Sequence, residues 1–292
     1  VMQKDGRVLY LKEGNKAQEY WNIPIANTTV IMLGTGTSIT QAAVRLLSQA
    51  GVMIGFCGGG GTPLLAGTDV EWFCPQCEYR PTQYVQGWLY FWYDASKRLE
   101  GAKSFQRARC SYLEKVWSSD RELQDEGFYP DDIAVESALG DYRKKINQAR
   151  NVQELLSAEA HFAKKLYKYA AINTGYDDFV RDTSGVDATN RLLNHGNYLA
   201  YGMAASVLWV LGIPHGFALM HGKTRRGALV FDVADLIKDI LVLPWAFICA
   251  ANGDSHQEFR TKCLEKFVEY SALDYMYDNV KGQSLRWYKG DE

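Results

Sequence analysis

The sequence is short of cysteine, histidine and net charge: six cysteines, five histidines and a balance of −2 in 292 residues. Six cysteines at this length fall far below the density of a secreted, disulfide-stapled scaffold, so a reducing, cytoplasmic setting is expected. A near-neutral balance excludes a uniformly basic coat for nucleic acid. It leaves room for a local basic groove, because steering depends on where charges sit as well as on their sum. Long apolar runs are missing too. The longest, Ile240 to Ala251, contains Pro244 and is too short to cross a bilayer, and no secretory leader is expected. No internal repeat is evident. With 47% hydrophobic and 13% aromatic residues there is material for a sizeable core, which excludes a disordered chain and allows two domains.

The local patterns fall into two parts. Arg7 to Leu11 and Thr28 to Leu33 carry β-branched and aromatic residues between glycine and asparagine, and Val52 to Phe56 is a third strand stopped by the run Gly58 to Gly61. Between the last two, Ile39, Ala42, Ala43, Leu46 and Leu47 recur at helical spacing, with Ser38 placed to cap the helix. The strand at Arg7 starts so close to Val1 that a preceding segment is expected. Beyond Gly67 the period becomes helical: residues 82–125, part of 128–150, then 158–171, 190–211, 232–251 and 257–280, with a polar, frayed tail from Lys281. The expected class is α+β, with a β-rich domain over 1–68 and an α-helical domain over 69–292.

The densest chemistry lies in His221-Gly222-Lys223-Thr224-Arg225-Arg226, followed by Asp232 and Asp235. An imidazole and two carboxylates suit a hard divalent ion, Mg²⁺ or Mn²⁺. Adjacent Lys223, Arg225 and Arg226 call for an anion, and a metal beside guanidinium groups suits a phosphodiester. Plainer readings compete. His221 can be a structural histidine, Asp232 the N-cap of the next helix, and Lys238 with Asp239 offers a salt-bridge explanation for the charge at Asp235. Asp235 sits among apolar residues and so requires a cation, whether side chain or metal.

Other motifs carry less. Gly34-x-Gly36-x-x-Ile39 imitates a dinucleotide fingerprint but lacks its third glycine and the following acid, and a tight turn with a cap explains it. Cys74 and Cys77 have no second ligand pair for zinc and no expected βαβ context for a redox role, and are taken as two loop thiols. His195 is expected to pack in a helix, His215 to bond backbone in a turn, His256 to be solvated, and His161 to point away from Glu159. Lys164 and Lys168 fit a solvated helix face.

A larger pattern emerges from Asp187-Ala-Thr-Asn190-x-x-Leu193, Asn197-Tyr-Leu-Ala-Tyr-Gly202, Leu211-Gly-Ile-Pro214-x-Gly216, His221-Gly-Lys223 and Phe231-Asp232-x-Ala234-Asp235-Leu-x-Lys238. In this order and spacing the chain resembles the CRISPR adaptation integrase, the universal CRISPR-associated endonuclease that inserts spacers in antiviral defence. Lys12-Glu-Gly-Asn15, Tyr20-Trp-Asn-Ile-Pro24 and Leu33-Gly-Thr-Gly-Thr-Ser-Ile39 are similar to its type I-F branch. The resemblance implies a metal held by Glu159, in Ser157-Ala-Glu159-Ala, together with His221 and Asp235, with Asp232 as a supporting acid. It implies Mg²⁺ or Mn²⁺ as cofactor, and contacts to protospacer and repeat DNA in which Lys223, Arg225, Arg226, Lys164 and Lys168 are candidates. It further implies a homodimer, and a small ferredoxin-like adaptation protein fused in type I-F to the helicase–nuclease. Composition alone does not choose Glu159 over Glu154.

Three other functions compete: a structure-selective metal-dependent DNA endonuclease using the same residues, a non-catalytic DNA-binding scaffold, and, last, a dinucleotide oxidoreductase built on Gly34 to Ile39.

Overall fold

The computed structural model describes residues 1–13, 18–57, 71–75, 81–176, 178–222 and 227–288. The chain divides into two compact units, Val1–Arg80 and Pro81–Glu292. The division expected at residue 68 falls outside the described residues.

The first unit holds two small sheets. Strands β1 (Met2–Lys4), β2 (Arg7–Glu13) and β3 (Gln18–Ile23) form an antiparallel meander in which Leu9 faces both Met2 and Asn22. Strand β4 (Val30–Leu33) runs parallel to β5 (Met53–Phe56), joined by helix α1 (Gln41–Gln49), and β6 (Glu71–Phe73) adds antiparallel to β5. A βαβ crossover is therefore present where none was expected; Cys74 lies beyond it, exposed after β6, and Cys77 is outside the described residues. Val8, Leu33, Ala43, Leu47, Val52 and Ile54 make one core from both sheets and the helix.

The glycine motif resolves into a turn, with Thr37 N donating to Gly34 O at 3.1 Å. The helix cap is Thr40, not Ser38: the Thr40 hydroxyl accepts from Ala43 N at 3.3 Å. Residues 38 and 40 are instead tied by backbone to the chain start, Ser38 O accepting from the Val1 amino group and Thr40 N donating to Val1 O.

The second unit is helical, and short polar residues punctuate it. Helices α2 (Thr82–Trp92), α3 (Ala95–Ser119) and α4 (Arg121–Asp125) divide the stretch expected over 82–125, because the Asp94 and Asp120 carboxylates accept from the first free backbone N–H groups of α3 and α4. Asp132, Asn151 and Asp187 cap α5 (Ile133–Gln148), α6 (Val152–Asn173) and α7 (Ala188–Val210) in the same way. Helix α7 carries the longest apolar stripe and packs on α8 (Leu229–Ala234), α9 (Leu243–Asn252) and α11 (Ala272–Leu285). Among the described residues, no helix is long and apolar enough to cross a membrane.

Two expected helices are broken. The stretch 232–251 is α8, a turn, a π-helical turn over Lys238–Val242, and α9. Pro244 sits in the first turn of α9, where its missing N–H costs nothing. The stretch 257–280 is α10 (His256–Glu269) and α11, separated at Ser271 with φ 50°. The polar tail does not fray at Lys281. Helix α11 runs to Leu285 with Gln283 and Ser284 buried, and Gly87 of α2 lets the two helices approach, since a Cβ there would lie 2.1 Å from Ser284 O. His195 is buried as expected. His256, expected in water, is exposed but lays its ring against it, Nδ1 to Nδ1 at 3.3 Å.

Candidate metal centre

The loop that carries His221 leaves α7 at Leu211 and is fixed from two sides. From α2, the Trp88 and Trp92 indole N–H groups donate to Phe217 O at 3.0 Å and Ala218 O at 2.8 Å. From α8, the buried Asp232 carboxylate accepts from the backbone N–H groups of Leu219, Met220 and His221 at 2.6, 3.1 and 3.3 Å. The N-cap position of α8 is Ala228, so Asp232 is not a helix cap; it caps the loop. Its Oδ1 also accepts from His221 Nδ1 at 2.7 Å. That bond fixes the tautomer, and any metal bond of this imidazole must come from Nε2. Burial pushes the His221 pKa down, but the bond to Asp232 and the charges of Asp235 and Asp232 outweigh it, and the pKa is raised.

Asp235 ends α8, with a side chain 1% exposed. Lys238 faces it one turn on as an ion pair, the partner that an acid among apolar residues requires. Neither carboxylate oxygen has a hydrogen bond among the described residues. Burial works against the Lys238 charge, yet Asp235 first, then Tyr201, Asp239 and Glu159, hold its pKa well above that of a free lysine.

Glu159 projects from α6, and its Oε1 accepts from Arg109 Nη1 at 3.1 Å. The structure separates it from Glu154. That carboxylate is spent at the helix start, accepting from Arg150 N at 2.8 Å and Asn151 Nδ2 at 3.0 Å. Arg109 lies fully buried in α3, and its Nη2 donates to Asp239 in the π-helical turn. Burial lowers its pKa, but Asp239 first and then Glu159 outweigh that and hold it well above that of a free arginine. Sequence reasoning missed Arg109, although its place was visible: it interrupts the apolar stripe Ala102, Phe105, Tyr112, Leu113 and Val116 of α3 at helical spacing.

Glu159, His221 and Asp235 thus share one electrostatic neighbourhood. His221 feels Asp235 and Lys238, and Lys238 feels Asp235, Asp239 and Glu159. They do not converge: among the described residues, no three His, Cys, Asp or Glu side chains are placed to hold a metal together. The two acids turn to Lys238 and Arg109 instead. The donor types still suit a hard divalent ion, and while Asp235 Oδ1 pairs with Lys238, its buried Oδ2 has no hydrogen bond among the described residues. Charge points the same way. Four carboxylates (Glu159, Asp232, Asp235, Asp239) face two permanent cations (Arg109, Lys238) and the imidazole of His221, an acid-rich set.

Of the basic candidates, Lys223, Arg225 and Arg226 lie outside the described residues. Lys164 and Lys168 are exposed on α6, about 140° and 180° around the helix axis from Glu159, so the helix does not bring them to the same face. Lys165 between them pairs with Asp141 at 2.6 Å. His161 is exposed on the same outer side.

Comparison with known proteins bears on this arrangement. A family model described as CRISPR associated protein Cas1 matches residues 1–268. The chain is 53% identical over 292 residues to the CRISPR-associated endonuclease Cas1 of Pseudomonas aeruginosa, covering 98% of this chain and 90% of that one. Among solved structures, it is similar to a Cas1–DNA complex with a TM-score of 0.65 at 20% identity, over 100% of this chain and 89% of that one. It is also similar to a casposase bound to integration product, with a TM-score of 0.73 at 14% identity, over 99% and 89% of the two chains.

Proposed function

The chain belongs to the Cas1 family, and from that membership we propose that it inserts new spacer DNA into a CRISPR array by metal-dependent transesterification. The observation that carries the reading is local. An imidazole whose Nδ1 is held by Asp232 stands in the same charged neighbourhood as a buried carboxylate, Asp235, which is paired with Lys238.

Glu159, Asp235 and His221 Nε2 are the residues that would hold Mg²⁺ or Mn²⁺. What such an ion supplies when bound is Lewis acidity at a non-bridging oxygen of the target phosphodiester. Asp232 holds the imidazole and its loop in place. Lys238 offsets the excess negative charge that would repel a phosphate. Lys223, Arg225 and Arg226 position strand phosphates. The 3′-hydroxyl of the incoming DNA gives its proton to solvent water and attacks phosphorus in line, and the departing 3′-oxygen takes a proton back from solvent. The target-strand 3′-oxygen leaves, so one phosphodiester forms as another breaks. With water as the nucleophile the same site is an endonuclease, the activity in the name of the Pseudomonas aeruginosa relative. The resemblance extends the reading to a cytoplasmic homodimer of the type I-F branch, partnered by a ferredoxin-like adaptation protein fused to the helicase–nuclease.

The test is strand joining: a supercoiled, repeat-bearing plasmid, a duplex donor with free 3′-hydroxyls, and Mn²⁺. Joined strands are expected from the wild type. Asp235→Asn is expected to abolish joining while duplex binding persists. Cleavage without joining would reduce the protein to a nuclease, and equal loss of joining and binding would make Asp235 structural.

A further inference from the structure

We propose that Gln106 and Arg109, one turn apart on α3, form the positioning hub of the metal site. Neither belongs to the ligand set, and the inference rests on the metal-binding reading above. Both side chains are buried, Gln106 at 1% and Arg109 at 0% exposed. Between them they touch each of the three segments on which the ligands stand.

Arg109 Nη1 donates to Glu159 Oε1 on α6 at 3.1 Å. Arg109 Nη2 donates to Asp239, the second residue of the π-helical turn Lys238–Val242, which follows Asp235 by one turn. Gln106 reaches the third segment: its Nε2 donates to Met220 Sδ at 3.2 Å, beside His221. The two hub residues are bonded to each other, Arg109 Nη1 to Gln106 Oε1 at 3.2 Å, and Tyr142 OH donates to the same oxygen at 2.7 Å. The Arg109 guanidinium also lies over the Phe162 ring at 5.6 Å, and Phe162 stacks on Tyr142 at 4.4 Å.

Glu159, Met220 and Asp239 are far apart along the chain, and α3 is the element their side-chain bonds share. A guanidinium serves here because its planar fork can hold two carboxylates at a fixed angle, which an ammonium cannot. It engages Glu159 through Oε1 and so leaves Oε2 for a metal. A buried cation between two acids is costly to desolvate and often stabilises less than apolar packing would. A role in setting the spacing of the site accounts for its presence.

The test measures Mn²⁺ affinity of the full chain by titration calorimetry, alongside thermal melting. The variants are Arg109→Lys, which keeps the charge and loses the fork, and Gln106→Met, which keeps the volume and loses the bonds to Arg109, Tyr142 and Met220. Both are expected to stay folded and bind Mn²⁺ about 10- to 100-fold more weakly, the usual effect of disturbing groups that orient metal ligands. The control is Lys266→Met, which breaks the buried pair with Asp120 on α10 and α4. It is expected to melt lower and bind Mn²⁺ as the wild type does. Hub variants that melt lower yet bind Mn²⁺ unchanged would make Gln106 and Arg109 structural only, and the hub falls. A wild type that binds no Mn²⁺ would overturn the metal-binding reading and the hub with it.

Discussion

His221 donates its Nδ1 proton to Asp232 at 2.7 Å, and the same carboxylate gathers the backbone N–H groups of Leu219, Met220 and His221. One acid thus shapes the loop and aims the ring. Asp232→Asn keeps the volume but has one accepting oxygen where four N–H groups compete. The His221 pKa, raised in the wild type by that bond and by the nearby acids, is expected to fall, read from the imidazole titration by NMR. Mn²⁺ affinity is expected to drop about 10- to 100-fold in the same variant. An unchanged His221 titration would show that Asp232 does not hold the ring.

Lys238 and a divalent ion are expected to compete for Asp235. Lys238→Met leaves a carboxylate 1% exposed without its cation, and removing one partner of a buried pair costs about 3–5 kcal/mol. The metal-free variant should therefore melt well below the wild type, and Mn²⁺ should raise its Tm by more than it raises that of the wild type. Equal shifts on adding Mn²⁺ would mean that the ion does not reach Asp235.

His215 gives the acid limb of stability a signature. Burial depresses its pKa below 6.5, against a weaker opposing bond from Ala205. The folded form therefore binds fewer protons than the unfolded chain once the pH drops below about 6.5. The contribution is present above pH 6.5 and is lost as pH falls through the folded pKa. Relative to the wild type, His215→Leu should show a shallower loss of urea midpoint between pH 7 and pH 5. A parallel profile would place the pH dependence elsewhere.

Gly87→Ala tests the seam between α2 and α11. The added Cβ would meet a backbone carbonyl, Ser284 O, which no rotamer change relieves. A loss of about 1–3 kcal/mol is expected from overpacking, measured by urea unfolding. Faster hydrogen exchange across Ala272–Leu285 should accompany it. Wild-type exchange there would refute the close approach.

Lys164 and Lys168 face away from Glu159, so any DNA they touch is remote from the reacting phosphate. Replacing both with alanine should lower the salt slope of duplex binding by about 2. The rate of strand joining at saturating DNA should not change. A lost joining rate would put them at the site.

Elements whose cause is local were legible. The helices over 82–125, 158–171 and 190–211 follow from apolar spacing, although the divisions of the first at Asp94 and Asp120 went unread even though both caps are local. Boundaries set by distant partners were not. Thr40 rather than Ser38 caps α1, where the chain start bonds residues 38 and 40, and Lys281 to Leu285 stay helical because α2 receives them at Gly87. The need for a cation at Asp235 could be read from its apolar neighbours, and Lys238 supplies it.

The amino-acid order by itself determined the two-part architecture, carried the resemblance to the family, and put forward His221 and Asp235 as candidates, since periodicity and motif order are properties of the chain. Folding alone decided that Glu154 is consumed at a helix start while Glu159 meets Arg109, and that Asp232 governs a loop instead of capping a helix. The reason is physical: a buried charge takes its meaning from the charges packed against it, and Arg109 and Asp239, 130 residues apart, become neighbours only when α3 and the π-helical turn share a core.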